Sequence, residues 1–297
     1  MKAIQFDSYG NPDVLQVTEV DTPRPAAGEI VIDVAAAGVN PIDWKIRRGL
    51  MAEQIPLQFP AGLGFDAAGT VTAIGEGVTD LAVGDQVYGT GRSTYAEQAV
   101  LSAWAPIPSG ISVESAAGWG SAVETAVRIL DQLGIGSGQT VLVSGAAGGV
   151  GTATVRLAVA RGATVIGTAG PANQDYLTDL GAIPVVYGDG LVDRVAAVAP
   201  NGVDAALDIS GAGVLPELIK LTGDPAKVLS IADFTAPGLG AQVSSSSSDA
   251  PAAFAEAART PDFDIPVDRR YPLAEAAAAQ EYSEAGHVRG KIILTVE

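Results

Sequence analysis

The chain has 297 residues, no cysteine, one histidine and a formal charge of −17, and 47% of its residues are apolar. That length supports two cores, and the apolar content exceeds what a disordered chain carries. Without cysteine, and with His287 as the single histidine, disulfides, thiolate nucleophiles, Cys-ligated zinc and a histidine triad are excluded, while the negative charge opposes nucleic-acid phosphates.

Residues 1–10 hold no apolar run suited to a secretory signal. The most apolar stretch, 141–166, is broken by Arg156, Arg161 and glycines, so no membrane span and a cytoplasmic location are expected. Up to about residue 105 the pattern predicts short strands (2–6, 29–39, 69–74, 94–101) separated by turn signals such as Gly10-Asn11-Pro12 and Val83-Gly84-Asp85. One short helix is expected over 42–48, with Asn40 as its cap and Pro41 at the first helical position.

From residue 121 the rhythm changes. A helix over 121–133 precedes strands at 140–143, 164–168, 184–187, 203–208 and 227–231, with helices at 149–161, 172–180, 191–198 and 214–221 between them. Strands alternating with helices imply right-handed βαβ units and a parallel sheet covered on both faces. Beyond Phe234 the serine run 244–248 reads as a loop, helices are expected over 251–258 and 273–285, and the apolar segment 291–296 reads as a strand returning to the first domain's sheet. His287 reads as an exposed loop residue.

The segment Gly145-Ala146-Ala147-Gly148-Gly149-Val150-Gly151 lies between an apolar strand and a helix, the setting that makes a glycine cluster a dinucleotide signal. Gly145 permits the tight turn, Gly148 lets backbone approach phosphate oxygens, and Gly151 lets helix and strand pack closely. Free N–H groups at the helix start would then hold the pyrophosphate. An NAD site usually places a carboxylate at the end of the second strand. Here that end reads Thr168-Ala169-Gly170-Pro171-Ala172-Asn173, with no acid before Asp175. The neutral pocket favours NADP, its 2′-phosphate held by Gly170, Asn173, backbone N–H groups and Tyr187. Short-chain dehydrogenases share the glycine spacing, but open with it, and no Tyr here is followed four residues later by Lys.

Taken together, Asn40-Pro41-Ile42-Asp43, Gly64-Phe65-Asp66, Val83-Gly84-Asp85, Tyr95-Ala96-Glu97, 144–151 and Gly290-Lys291-Ile292-Ile293-Leu294 resemble the medium-chain dehydrogenase/reductases, in their zinc-free quinone oxidoreductase branch. The resemblance implies an α/β chain: a GroES-like β-rich catalytic domain at 1–108, completed by 265–297, and a Rossmann dinucleotide domain at 109–264. It also implies a homodimer, with no metal, nucleic-acid or membrane partner. Asp66 falls where the zinc-dependent relatives carry a His-Glu pair.

Asn40, Asp43 and Lys45 are the catalytic candidates that the resemblance implies, and Thr125 would bond the nicotinamide carboxamide. Arg289 and Lys291 would approach the cofactor phosphate. All but Asn40 have an ordinary alternative: a surface charge for Lys45, Arg289 and Lys291, an ion pair with Arg47 for Asp43, a backbone-bonded helical threonine for Thr125. Trp119 reads as core. The expected activity is NADPH-dependent reduction of a quinone or an α,β-unsaturated carbonyl. A non-catalytic dinucleotide sensor or structural protein and an enoyl-thioester reductase are the alternatives.

Overall fold

The computed structural model describes residues 1–244 and 249–296. In chain order its elements are β1 (Lys2–Phe6), β2 (Gln16–Glu19), β3 (Ile30–Val39), α1 (Pro41–Arg47), β4 (Ala61–Gly62), β5 (Asp66–Ile74), β6 (Gln86–Arg92) and β7 (Gln98–Pro106). Then come α2 (Val113–Ala116), α3 (Gly120–Gln132), β8 (Thr140–Ser144), α4 (Gly149–Ala160), β9 (Thr164–Ala169), α5 (Gln174–Asp179), β10 (Ile183–Val186) and α6 (Leu191–Val198). The remainder is β11 (Ala205–Asp208), α7 (Leu215–Thr222), β12 (Val228–Ser230), β13 (Gln242–Val243), α8 (Ala250–Arg259), β14 (Val267–Pro272), α9 (Ala276–Ala285) and β15 (Lys291–Thr295). Of the serine run expected as a loop, residues 245–248 lie outside the described residues.

The chain divides into two compact units, Met1–Ser121 with Asp264–Glu297, and Ala122–Phe263. The first junction falls later than the expected 108/109 because α2 is bound into unit 1. Ser115 Oγ donates to Asp264 Oδ1 at 2.5 Å, and Ser121 N to Asp66 Oδ1 at 2.7 Å.

In unit 1, six strands run in the order β14-β15-β3-β5-β6-β7, and a further β3–β7 pairing closes four of them on themselves. Closure removes exposed edges. As expected, β15 returns to this sheet, with Ile293 opposite Gly38 on antiparallel β3. The core behind the sheet is built from Ile30, Ile32, Val71, Leu101, Ile292 and Leu294. Helix α1 is anchored by Arg47, which is fully buried. Its Nε donates to Gln280 Oε1 at 2.7 Å, Nη1 to Gly10 O at 2.7 Å and Nη2 to Glu284 Oε2 at 2.9 Å. That engagement removes the alternative of an Asp43–Arg47 ion pair.

In unit 2 a six-stranded sheet runs β10-β9-β8-β11-β12-β13, every pairing parallel. Its central strands carry apolar residues on both faces (Val141, Leu142 and Val143 are all 0% exposed), as a sheet covered on both sides requires. Strand order reverses direction between β8 and β11, and ligands of such sheets bind beyond the carboxyl ends of the strands at that point.

Candidate functional site

Unit 2 presents a glycine-rich cradle at the end of β8. Gly145 adopts φ +80°, in the left-handed region. Gly151 lies so close beneath it that a Cβ there would meet Gly145 O at 2.2 Å and Ala146 Cα at 2.7 Å. Gly148 is different: an added Cβ would meet only Gly145 O, at 3.7 Å, so the protein itself does not need glycine at that position. The first intrahelical hydrogen bond of α4 runs from Thr152 N to Gly148 O. The N–H groups of Gly149, Val150 and Gly151 therefore have no acceptor within the helix. These groups, with the dipole of a twelve-residue helix behind them, fit an anion held against backbone at Gly148.

Along the same edge, Gly170 follows β9 and faces Tyr187, whose hydroxyl would lie 3.5 Å from a Cβ on Gly170. Asn173 N donates to Gly170 O at 3.0 Å, closing a small turn between β9 and α5. The segment 168–174 itself carries no basic residue. The structure brings one: Arg194 Nε donates to Val186 O at 2.9 Å, Nη1 to Asp189 O at 2.7 Å and Nη2 to Gly188 O at 2.9 Å, clasping the loop that carries Tyr187. Thr125, half-buried on α3, donates to Glu124 Oε2 and accepts from Arg128 Nη2, each at 3.3 Å.

Unit 1 contributes a buried polar cluster around the start of α1. Asn40 occupies the N-cap position as expected, but its side chain does not cap. Its Nδ2 donates to Asp66 Oδ2 at 2.9 Å and its Oδ1 accepts from Lys291 Nζ at 2.5 Å. A donor-only ammonium on one side and a carboxyl acceptor on the other leave the amide a single orientation. Asp43 performs the capping, accepting from Asn40 N at 2.7 Å and from Tyr95 OH at 2.6 Å on Oδ2. Lys291 Nζ also lies 3.3 Å from Asp66 Oδ2, and both side chains are buried, at 4% and 0% exposed.

Lys291 had been expected at the cofactor phosphate, with a surface charge as the alternative. The structure corrects both readings, because its ammonium is held inside unit 1 by Asn40 and Asp66. Arg289 is exposed, as is His287. Trp119 is core, packed edge-on against Tyr88 with ring centroids 5.5 Å apart. Lys45 is half-buried, its Nζ 5.7 Å from the Trp44 ring centroid.

Burial pushes Asp43 up to about 7, against the opposing hydrogen bonds from Tyr95 and Asn40. Its Oδ1 has no hydrogen-bond partner, the environment of a neutral acid. The folded chain thus holds a proton here that the unfolded chain releases near pH 3.8, the ordinary value. Stability from this group is complete below that pH and is lost as pH rises towards about 7. Wild type is therefore expected to lose stability relative to Asp43→Asn between pH 4 and 7, by up to roughly 1 kcal/mol per pH unit. Urea denaturation at several pH values checks this, and parallel pH profiles for the two proteins would refute it.

Comparison with known proteins decides the family. Residues 26–129 match the alcohol dehydrogenase GroES-like domain and residues 149–254 the domain described as zinc-binding dehydrogenase. A spinach chloroplastic quinone-oxidoreductase homolog is 33% identical over 231 residues, covering 73% of this chain and 69% of that protein. The chain belongs to the medium-chain dehydrogenase/reductase superfamily, in its quinone oxidoreductase branch. The quinone oxidoreductase structure from Coxiella burnetii superposes with a TM-score of 0.86 at 31% identity, covering 100% of this chain and 99% of that one. A mycobacterial structure complexed with NADPH gives 0.85 at 28% identity, with 99% and 100% coverage.

The fold is thus the GroES-like and Rossmann pairing that the sequence implied. Zinc, named in the description of one matching domain, does not fit the residues present. The chain has no cysteine and a single histidine. The carboxyl of Asp66 is already surrounded by donors, namely Lys291, Asn40 and Ser121. In the sequence, Asp66 and Tyr95 stand out only as motif residues and Ser121 only as the start of a helix. Only the three-dimensional contacts reveal that they hold Asn40 and α1 in place.

Proposed function

We propose that this chain is an NADPH-dependent oxidoreductase that reduces a quinone or an α,β-unsaturated carbonyl without metal. The observation that carries the reading is the cradle at 145–151, with three N–H groups unpaired within α4 at the strand-order reversal. The relatives named quinone oxidoreductase support the acceptor class, and the mycobacterial neighbour's NADPH supports the cofactor. For the 2′-phosphate, Gly170 leaves space, and Tyr187, Asn173 and the charge of Arg194 provide a neutral-to-positive surround. A cytoplasmic location and a homodimer belong to the same reading; among the described residues no helix is long and apolar enough to cross a membrane.

When bound, the dinucleotide would supply the hydride. The chain's own part is binding, orientation and charge. Gly149, Val150 and Gly151 N–H groups would hold the pyrophosphate, and Thr125 would orient the carboxamide. Lys45 would stabilise negative charge developing on the acceptor oxygen. Asn40 would present its amide in the one orientation that Lys291 and Asp66 allow, and Asp43 would keep the first turn of α1 under it. Lys45→Ala is expected to lower kcat/KM about a hundredfold, as for loss of a charge-stabilising donor. The melting temperature should move by less than about 3 °C, because the side chain is half-exposed.

NADPH oxidation with a panel of quinones and conjugated enones tests the reading directly. Turnover of either class supports it. Binding of NADPH without turnover of any acceptor would favour a sensing or structural role instead.

A further inference from the structure

A second buried polar cluster lies in unit 2, beside the glycine loop but outside it. Asp208 ends β11 and is fully buried. Its Oδ1 accepts from Ser210 Oγ and from Gly211 N, each at 3.0 Å, and its Oδ2 accepts from Ser230 Oγ at 2.8 Å. Ser230 Oγ in turn accepts from Ala232 N at 3.1 Å and Asp233 N at 2.9 Å. Ser210 Oγ shares a 2.9 Å hydrogen bond with Ser144 Oγ at the end of β8. One carboxyl therefore ties together the carboxyl ends of three adjacent strands, β8, β11 and β12, and the loops that leave two of them.

Burying a carboxyl costs free energy that packing alone does not demand; the neighbouring strand residues Val143, Leu207 and Leu229 are all apolar and fully buried. What the carboxyl provides is a fixed loop. Residues 210–213 are exposed and have no apolar anchor of their own. They are nevertheless set against the cradle, for a Cβ on Gly145 would lie 3.1 Å from Ser210 N.

In a sheet with this strand order each half takes one mononucleotide, and the reversal lies between them. Gly170 and Tyr187 belong to the β8-β9-β10 half, which takes the adenosine. The loops after β11 and β12 belong to the other half. We infer that Asp208 is a positioning residue for the nicotinamide mononucleotide half of the cofactor, holding 210–213 as the second wall of the site. The inference rests on the dinucleotide reading of the glycine loop.

Titration calorimetry separates the possibilities. Wild type and Asp208→Asn are each titrated with NADPH or NADH, whichever wild type prefers. The matching adenosine fragment, 2′,5′-ADP or 5′-AMP, is titrated alongside. Asp208→Asn is expected to raise the dinucleotide Kd about tenfold or more, the loss of a buried hydrogen-bond partner. The fragment's Kd should stay within about twofold. General loosening of the unit would weaken both ligands together, and either that result or unchanged binding of both overturns the inference. If Asp208→Asn does not fold, Ser230→Ala, which removes one bond at Oδ2, undergoes the same comparison with an expected shift of about threefold. Failure of wild type to bind either dinucleotide would overturn the proposed function as well, and is visible before any variant is made.

Discussion

Lys291→Met is expected to destabilise the protein by about 3–5 kcal/mol, the cost of leaving one member of a buried ion pair without its partner. Asp66 is 0% exposed and Lys291 4%, so water cannot replace the lost ammonium without disrupting the sheet. The hydrogen bonds to Asp66 from Ser121 N, at 2.7 Å, and Asn40 Nδ2, at 2.9 Å, would remain but do not neutralise the charge. Adding Asp66→Asn to the variant removes that charge and should recover most of the stability, a coupling that a double-mutant cycle in urea measures. Activity should not return with it, because Asn40 Oδ1 has lost the donor that fixes its amide. A single-variant cost below about 1 kcal/mol would show that the cluster is not what organises the start of α1.

The second large effect is expected at the glycines of the cradle, and the two relevant positions should fail in different ways. Gly151→Ala places a Cβ 2.2 Å from Gly145 O and 2.7 Å from Ala146 backbone, atoms that cannot swing aside. It should cost about 1–3 kcal/mol or more and weaken NADPH binding together with stability. Gly148→Ala meets nothing nearer than 3.7 Å and sits at an ordinary φ of −76°. Its stability should stay within about 0.5 kcal/mol of wild type, while on the proposed reading NADPH affinity falls at least tenfold, because the methyl group would stand where the phosphate would approach. Gly136→Ala, with open space around it, is the control. Thermal denaturation with and without NADPH checks all three. Equal NADPH affinity in wild type and Gly148→Ala would contradict phosphate contact at that residue.

The two positions also show what the sequence made legible. Gly145 and Gly151, between an apolar strand and a helix, specify a turn that needs glycine at those two positions, and the structure contains it. Helix α6 and strand β1 match their expected bounds because their apolar residues repeat cleanly. Strands β6 and β14 were missed for opposite reasons. Glycines interrupt the first, and Asp268, Arg269 and Arg270 give the second no apolar rhythm, so pairing with neighbours rather than side-chain pattern makes each a strand.

The polar cluster was less legible. The resemblance flagged Asn40 and Asp43 but not the contacts that orient them. Lys291 lies 251 positions from Asn40, and its place on β15 opposite β3 follows from sheet register, which sequence spacing does not express. Asp208 carries one signal: an acid ending an apolar strand, with Ser210-Gly211 beginning two residues on, is the composition of a side-chain-stabilised turn.

Binding of a nicotinamide dinucleotide at 145–151, with NADPH preferred, is tested most directly by a thermal-shift comparison of NADPH with NADH at matched concentration. A ligand that binds only the folded chain raises its stability by RT ln(1 + [L]/Kd), so the shift should grow with concentration and be larger for NADPH. A larger shift with NADH would contradict the 2′-phosphate pocket at Gly170, Asn173 and Tyr187. No shift with either would contradict the site itself.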